Sequence, residues 1–185
     1  ATAFGGGVAE LLNAMIPLMN DVGLFAEWQV MQGADEFYQI SKALHNSLQG
    51  MQIDWKSEMW ETWKRYNILN SELLEGQYDY VIVHDPQPAG ILQFLQESGQ
   101  RDKNTRWIWR CHIDSTDAQP EVWGRLRPYL EPYDTAVFTM KQFVKSDLTG
   151  PRIRLIPPAI DPLSPKNLPI AQDTVQQVLS RFGID

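Results

Sequence analysis

Tyr80-Val81-Ile82-Val83-His84-Asp85-Pro86 is a short apolar run that breaks into polar residues and a proline. It is too short for a stable helix and lacks polar alternation. It therefore predicts a buried strand of a parallel sheet, with its polar continuation emerging at the C-terminal end. Arg106 to Cys111 repeats the pattern and ends in His112-Ile113-Asp114-Ser115. Thr135 to Phe138 and Ile153 to Ile156 give two more strands, the last closed by Pro157-Pro158. Helical segments lie between them: Ala89 to Gln96, punctuated by Gly99; Pro120 to Leu130, with proline near its start; and a short Lys141 to Asp147. Strands separated by helices mean parallel βαβ units, and the expected class is α/β with a doubly wound parallel sheet.

Upstream of this core the spacing predicts a helix over Val8 to Val22, interrupted by Pro17 and stopped by Gly23. Leu24 to Met31 alternates and predicts a further strand. Asp35 to Leu48 and Ser57 to Leu74 predict two helices, with Ser57 as a cap lacking the glutamate of a full capping box. Trp60, Trp63 and Tyr66 or Asn67 form an aromatic stripe on the second of these, a core or interface face, and the first place to look for the contact of a possible homodimer. Downstream, residues 164–169 are a Pro-rich linker, and Asp173 to Phe182 is a last amphipathic helix. Residues 1–163 thus read as one domain, and 164–185 as an interdomain linker with the start of another.

The bulk properties narrow the function classes. The 185 residues carry a net charge of -7, which argues against nucleic acid or an anionic membrane as the main partner. One cysteine, Cys111, excludes a disulfide framework and a cysteine-rich zinc site, and its place in an apolar strand suggests an inert core thiol. No apolar run approaches a membrane span, and no secretory pattern opens the chain, so a cytoplasmic location is expected.

Ligands of open α/β sheets bind outside the carboxyl ends of the strands. Two of the three histidines fall there, His84 beside Asp85 and His112 near Arg110 and Asp114. The alternative is that each serves only local backbone groups. Gly5-Gly6-Gly7 opens the first helix, where bare backbone amides and the helix dipole would suit a phosphate or a sugar hydroxyl. An unliganded turn is the competing reading. Glu10 stands where a dinucleotide fingerprint needs glycine, and no Gly-Lys-Ser/Thr follows. The His and Asp residues lack metal-ligand spacing, and His45 reads as a partly exposed surface residue.

Four segments together resemble the N-terminal half of trehalose-forming glycosyltransferases. They are Phe4-Gly5-Gly6-Gly7-Val8-Ala9-Glu10-Leu11-Leu12, Val83-His84-Asp85-Pro86-Gln87-Pro88, Trp109-Arg110-Cys111-His112-Ile113-Asp114 and Pro158-Ala159-Ile160-Asp161-Pro162-Leu163-Ser164-Pro165-Lys166-Asn167. These enzymes belong to retaining glycosyltransferase family four, with the GT-B fold of two Rossmann-like domains facing a cleft; fungal trehalose phosphorylases are close relatives. The resemblance implies transfer of glucose from a nucleotide-glucose, UDP- or ADP-glucose, to glucose with retention, and this chain as the acceptor side. It implies His112 as the active-site histidine near the reacting centre. It further implies Gly5, Gly6 and Gly7 beside the donor diphosphate, and His84, Asp85, Arg110 and Asp114 around the acceptor, glucose or trehalose. No tightly bound cofactor is implied; Mg2+ is compatible with the resemblance but not implied by the sequence. In such enzymes the leaving phosphate helps deprotonate the acceptor, so no protein base is demanded.

Two features depart from the family. The donor-binding domain with its Glu-rich motif is not in the sequence, and family members have a strand running into the glycine loop. Little transferase activity is therefore expected of these residues alone. The sheet is expected either to show a gap at that strand or to be filled by another segment. Two rivals stay open: a phosphorylase using phosphate in place of a nucleotide, and a non-catalytic sugar-binding module.

Overall fold

The computed structural model describes residues 6–184. Six helices and four strands follow in the order α1 (Gly7–Asp21), α2 (Asp35–Leu48), α3 (Ser57–Glu72), β1 (Tyr80–His84), α4 (Ile91–Glu97), β2 (Arg106–Arg110), α5 (Pro120–Leu130), β3 (Thr135–Phe138), β4 (Arg152–Leu155) and α6 (Gln172–Arg181). The strands form one parallel sheet in the order β1-β2-β3-β4. The class is the expected α/β, Rossmann-like in its parallel βαβ winding. The order runs without reversal, so these strands are one winding half, and the β1 edge has no neighbour among the described residues.

The pleat sorts the side chains. Val83, Trp107, Trp109, Ala136 and Phe138 lie on one face and are buried, while Tyr80 and Ile82 on the other are exposed. The buried face meets α2 to α5 in a core rich in aromatic rings. Trp60 stacks against Trp55 at 4.8 Å, and Trp63 meets Tyr129 edge-on at 4.8 Å. The aromatic stripe of α3 is therefore part of the core, one of the two uses expected of it. Every residue of α6 is exposed, its apolar Val175, Val178 and Leu179 included, and so is Phe182 just after it.

Three local expectations fail for physical reasons. Leu24 to Met31 alternates but forms no strand. Side-chain amides, not a neighbouring strand, hold this stretch: Asn20 brackets both backbone groups of Ala26, and Asn70 both those of Gln32. Lys141 to Asp147 makes only a 3-10 turn over Lys141–Phe143. The Ser115 hydroxyl donates to the Phe143 carbonyl at 2.6 Å, and Val144 is extended. Ser57 is the first helical residue and not the cap, which is Lys56 with no side-chain capping bond.

One loop is fastened with unusual density. Trp109 Nε1 donates to the Asp85 carbonyl at 2.9 Å and Trp63 Nε1 to that of Pro86 at 3.2 Å. Asn67 donates to the Gln87 carbonyl at 2.9 Å and accepts from the Gly90 N–H at 3.0 Å. Tyr133 donates its hydroxyl to the Ala89 carbonyl at 3.0 Å. The loop between β1 and α4 is thus bound residue by residue to buried side chains, which satisfies backbone groups that no ladder reaches. Replacing wholly buried Asn67 by the apolar near-isostere, Asn67→Leu, leaves two backbone groups without partners. It should cost roughly 2–5 kcal/mol in urea unfolding. A change of only a few tenths would mean that the loop does not depend on Asn67.

Candidate active site

The polar ends of β1 and β2 lie side by side because His84 pairs with Arg110 in the sheet register. Past that pair the chain does not simply continue as strand. Asp85 takes a left-handed backbone, φ 67°, the only non-glycine residue with positive φ among those described. Aspartate tolerates this conformation better than most residues, yet it still costs about 1–3 kcal/mol. It persists because the N–H, the carbonyl and one carboxylate oxygen of Asp85 are all engaged. Its N–H donates to the Arg110 carbonyl at 2.9 Å, its carbonyl accepts from Trp109, and its Oδ1 accepts the His112 N–H at 2.8 Å.

The carboxylate therefore carries the turn after β2 and brings His112 over His84. The rings lie nearly parallel, 10° apart with centroids at 5.2 Å, and His84 Nδ1 stands 2.9 Å from His112 Nε2. Burial holds the His84 imidazole down at about 4, helped by the neighbouring His112 and Arg110. Burial also lowers His112, against the pull of the Asp85 carboxylate upward, and Arg110 adds to the lowering. Both rings are neutral at physiological pH. Arg110 donates from Nη2 to the Ile156 carbonyl at 2.9 Å, while its buried Nη1 has no partner among the described residues. The cluster offers a cation, two neutral imidazoles and a carboxylate within one small volume, a mixture of donors and acceptors suited to sugar hydroxyls.

The other expected residues stand apart. Asp114 is exposed, and its Oδ1 accepts the Thr116 N–H at 2.9 Å, so its carboxylate closes a local turn. Gly6 caps α1 with φ 89° and Gly7 is its first residue; no side chain caps this helix start. Gly5 lies outside the described residues. Cys111 is buried and its thiol is pushed up to about 12, chiefly by burial, as an inert core thiol should be. Among the described residues no three His, Cys, Asp or Glu side chains gather to hold a metal ion. No described helix is long and apolar enough to cross a membrane.

Sequence reasoning overlooked Asn67, Trp63, Trp109 and Tyr133 as the supports of this site. The available signal was the placing of two asparagines, Asn67 and Asn70, on the buried side of α3, where a poor helix former needs a reason to be.

Comparison with known proteins agrees with the fold. Residues 1–145 match the family described as trehalose synthase, N-terminal domain. The chain is 42% identical over 187 residues to a trehalose synthase of Thermococcus litoralis and 43% over 188 residues to that of Rubrobacter xylanophilus, in each case over 100% of this chain and 44% of the relative. A trehalose phosphorylase of Pleurotus pulmonarius is 24% identical over 87% of this chain and 24% of its own length. The chain thus spans less than half the length of these curated relatives. It belongs to the family of trehalose synthase N-terminal domains.

Proposed function

We propose that this chain is the acceptor-side half of a retaining glycosyltransferase that moves glucose from a nucleotide-glucose to glucose, forming trehalose. The observation that carries the reading is the junction of His84, Asp85, Arg110 and His112 at neighbouring strand ends, in a chain 42% identical throughout to a trehalose synthase. Residues 164–185 lead into the donor-binding half. Substrates are glucose or trehalose on this side and UDP- or ADP-glucose across the cleft.

The chemistry follows from charge. As the glycosidic bond to the diphosphate breaks, negative charge grows on the leaving group and positive charge on the sugar ring. Uncapped amides at the start of α1, where Gly6 and Gly7 lie, supply donors toward an anion. His112 orients the reacting sugar from a backbone that Asp85 fixes, and Arg110 contributes donors to the acceptor hydroxyls. Asp85 serves as a clamp, its Oδ1 holding the His112 N–H. The phosphorylase reading has one supporting observation, the 24% identity to the fungal enzyme, and the higher identity to the synthases outweighs it.

Trehalose synthesis by a polypeptide carrying both halves should require nucleotide-glucose; turnover with phosphate and trehalose instead would sink the synthase reading. In that enzyme His112→Ala should lower kcat/KM by roughly 10²–10³-fold. Calorimetry of the present chain with glucose should show binding that the same substitution weakens, whereas a bare scaffold would show none. Asp85→Asn keeps an oxygen for the His112 N–H and should retain activity within about tenfold. Asp85→Gly relaxes the backbone, frees His112 and should lose more than the asparagine variant. Equal inactivation of both would identify Asp85 as a proton acceptor.

A further inference from the structure

We infer that His84 is the positioning residue that sets the ring orientation and the donor–acceptor polarity of His112, through the direct contact of His84 Nδ1 with His112 Nε2. His112 is held at two points: Asp85 Oδ1 takes its backbone N–H at 2.8 Å, and His84 takes its ring at 2.9 Å. The rings are nearly parallel at 10°, so rotation of His112 about its side-chain bonds breaks the nitrogen contact.

An N–H···N bond requires one ring to donate and the other to accept. The pair therefore has two neutral arrangements, and each fixes the outer nitrogen of His112. When His84 donates, Nε2 of His112 is bare and its Nδ1 carries the hydrogen, ready to donate to a hydroxyl oxygen. When His112 donates, its Nδ1 is bare and accepts from a hydroxyl. Nδ1 makes no hydrogen bond among the described residues. His84 thus controls what His112 presents to a ligand without touching that ligand.

Charged groups facing the pair come from both strand ends. Asp85 stands on the His112 side and Arg110 near both rings, while Cys111 between them remains a thiol. Asp85 makes His112 the ring that takes an added proton first, and the cation then donates from Nε2 to His84. A second proton leaves two facing donors and severs the contact. The link from this pair to a sugar rests on the trehalose-forming reading; the pair itself does not.

The test is nuclear magnetic resonance of the chain with isotope-labelled imidazole nitrogens. In the unaltered protein, around neutral pH, each ring should show a single tautomer, the same in both (Nδ1–H when His84 donates, Nε2–H when His112 donates), with a scalar coupling between the facing nitrogens across the hydrogen bond. His84→Phe keeps a flat ring but no nitrogen; His112 should then average between tautomers. His84→Asn places an amide where Nδ1 stood and should restore one tautomer. Absence of the coupling in the unaltered chain, or a His112 spectrum unchanged in His84→Phe, would overturn the inference. Activity reports separately. If the enzyme reading is wrong, no variant makes trehalose while the coupling stands. If the pair is wrong, the coupling is missing while His112→Ala still abolishes synthesis.

The lowered folded-state values also fix a sign. Unfolded histidines bind protons below about 6.5, whereas folded His84 resists to about 4, so stability is full above that range and falls as pH drops through it. Melting temperature should decline between those limits, and less steeply in His84→Phe. An identical decline in both proteins would remove His84 from the cause.

Discussion

The left-handed turn at Asp85 is the constraint on which the site depends. Without it β1 would run straight on, and nothing would draw the end of β2 across to His84. The turn costs about 1–3 kcal/mol. Three hydrogen bonds to the same residue offset this, two of about 0.5–1.5 kcal/mol and one to a carboxylate of about 1.5–3 kcal/mol. The balance favours the turn while these partners are in place and narrows with the loss of each. Two of them, Trp109 and Arg110, are supplied by β2 itself, so the strand pairing and the turn support each other.

The same logic extends through the loop that follows. Trp63, Asn67 and Tyr133 come from α3 and from the segment before β3, yet all end on backbone groups of the one loop between β1 and α4. Core packing and loop geometry are thereby one problem. The indole that fills the centre of the aromatic cluster is also the donor that holds Pro86. A rigid scaffold beneath a strand-end site is what precise placement of reacting groups demands.

The fold was largely legible because β1 and β2 each carry a short apolar run that breaks into polar residues, a pattern that needs no knowledge of neighbours. Leu24 to Met31 misled because alternation describes a strand only if an edge is there to pair with it. Asn20 and Asn70 satisfy the backbone instead, and their role depends on distant contacts that periodicity does not encode. At the site, strand-end position singled out His84 and His112. Their direct contact was not legible, since it follows from the lateral register of His84 with Arg110 and from one backbone angle. Asp114, two residues beyond His112, looked like part of the same cluster. Its short side chain instead reaches the nearest free amide, that of Thr116.

The two indoles that grip the loop give the protein an internal optical gauge. Trp63 and Trp109 are two of its seven tryptophans, both deeply buried, and each indole N–H ends on the backbone beside His84. Indole emission responds to the loss of such a bond and to the polarity around the ring. Any ligand that shifts the Asp85–Pro86 carbonyls thus registers in the colour of the protein's own fluorescence, with no label attached.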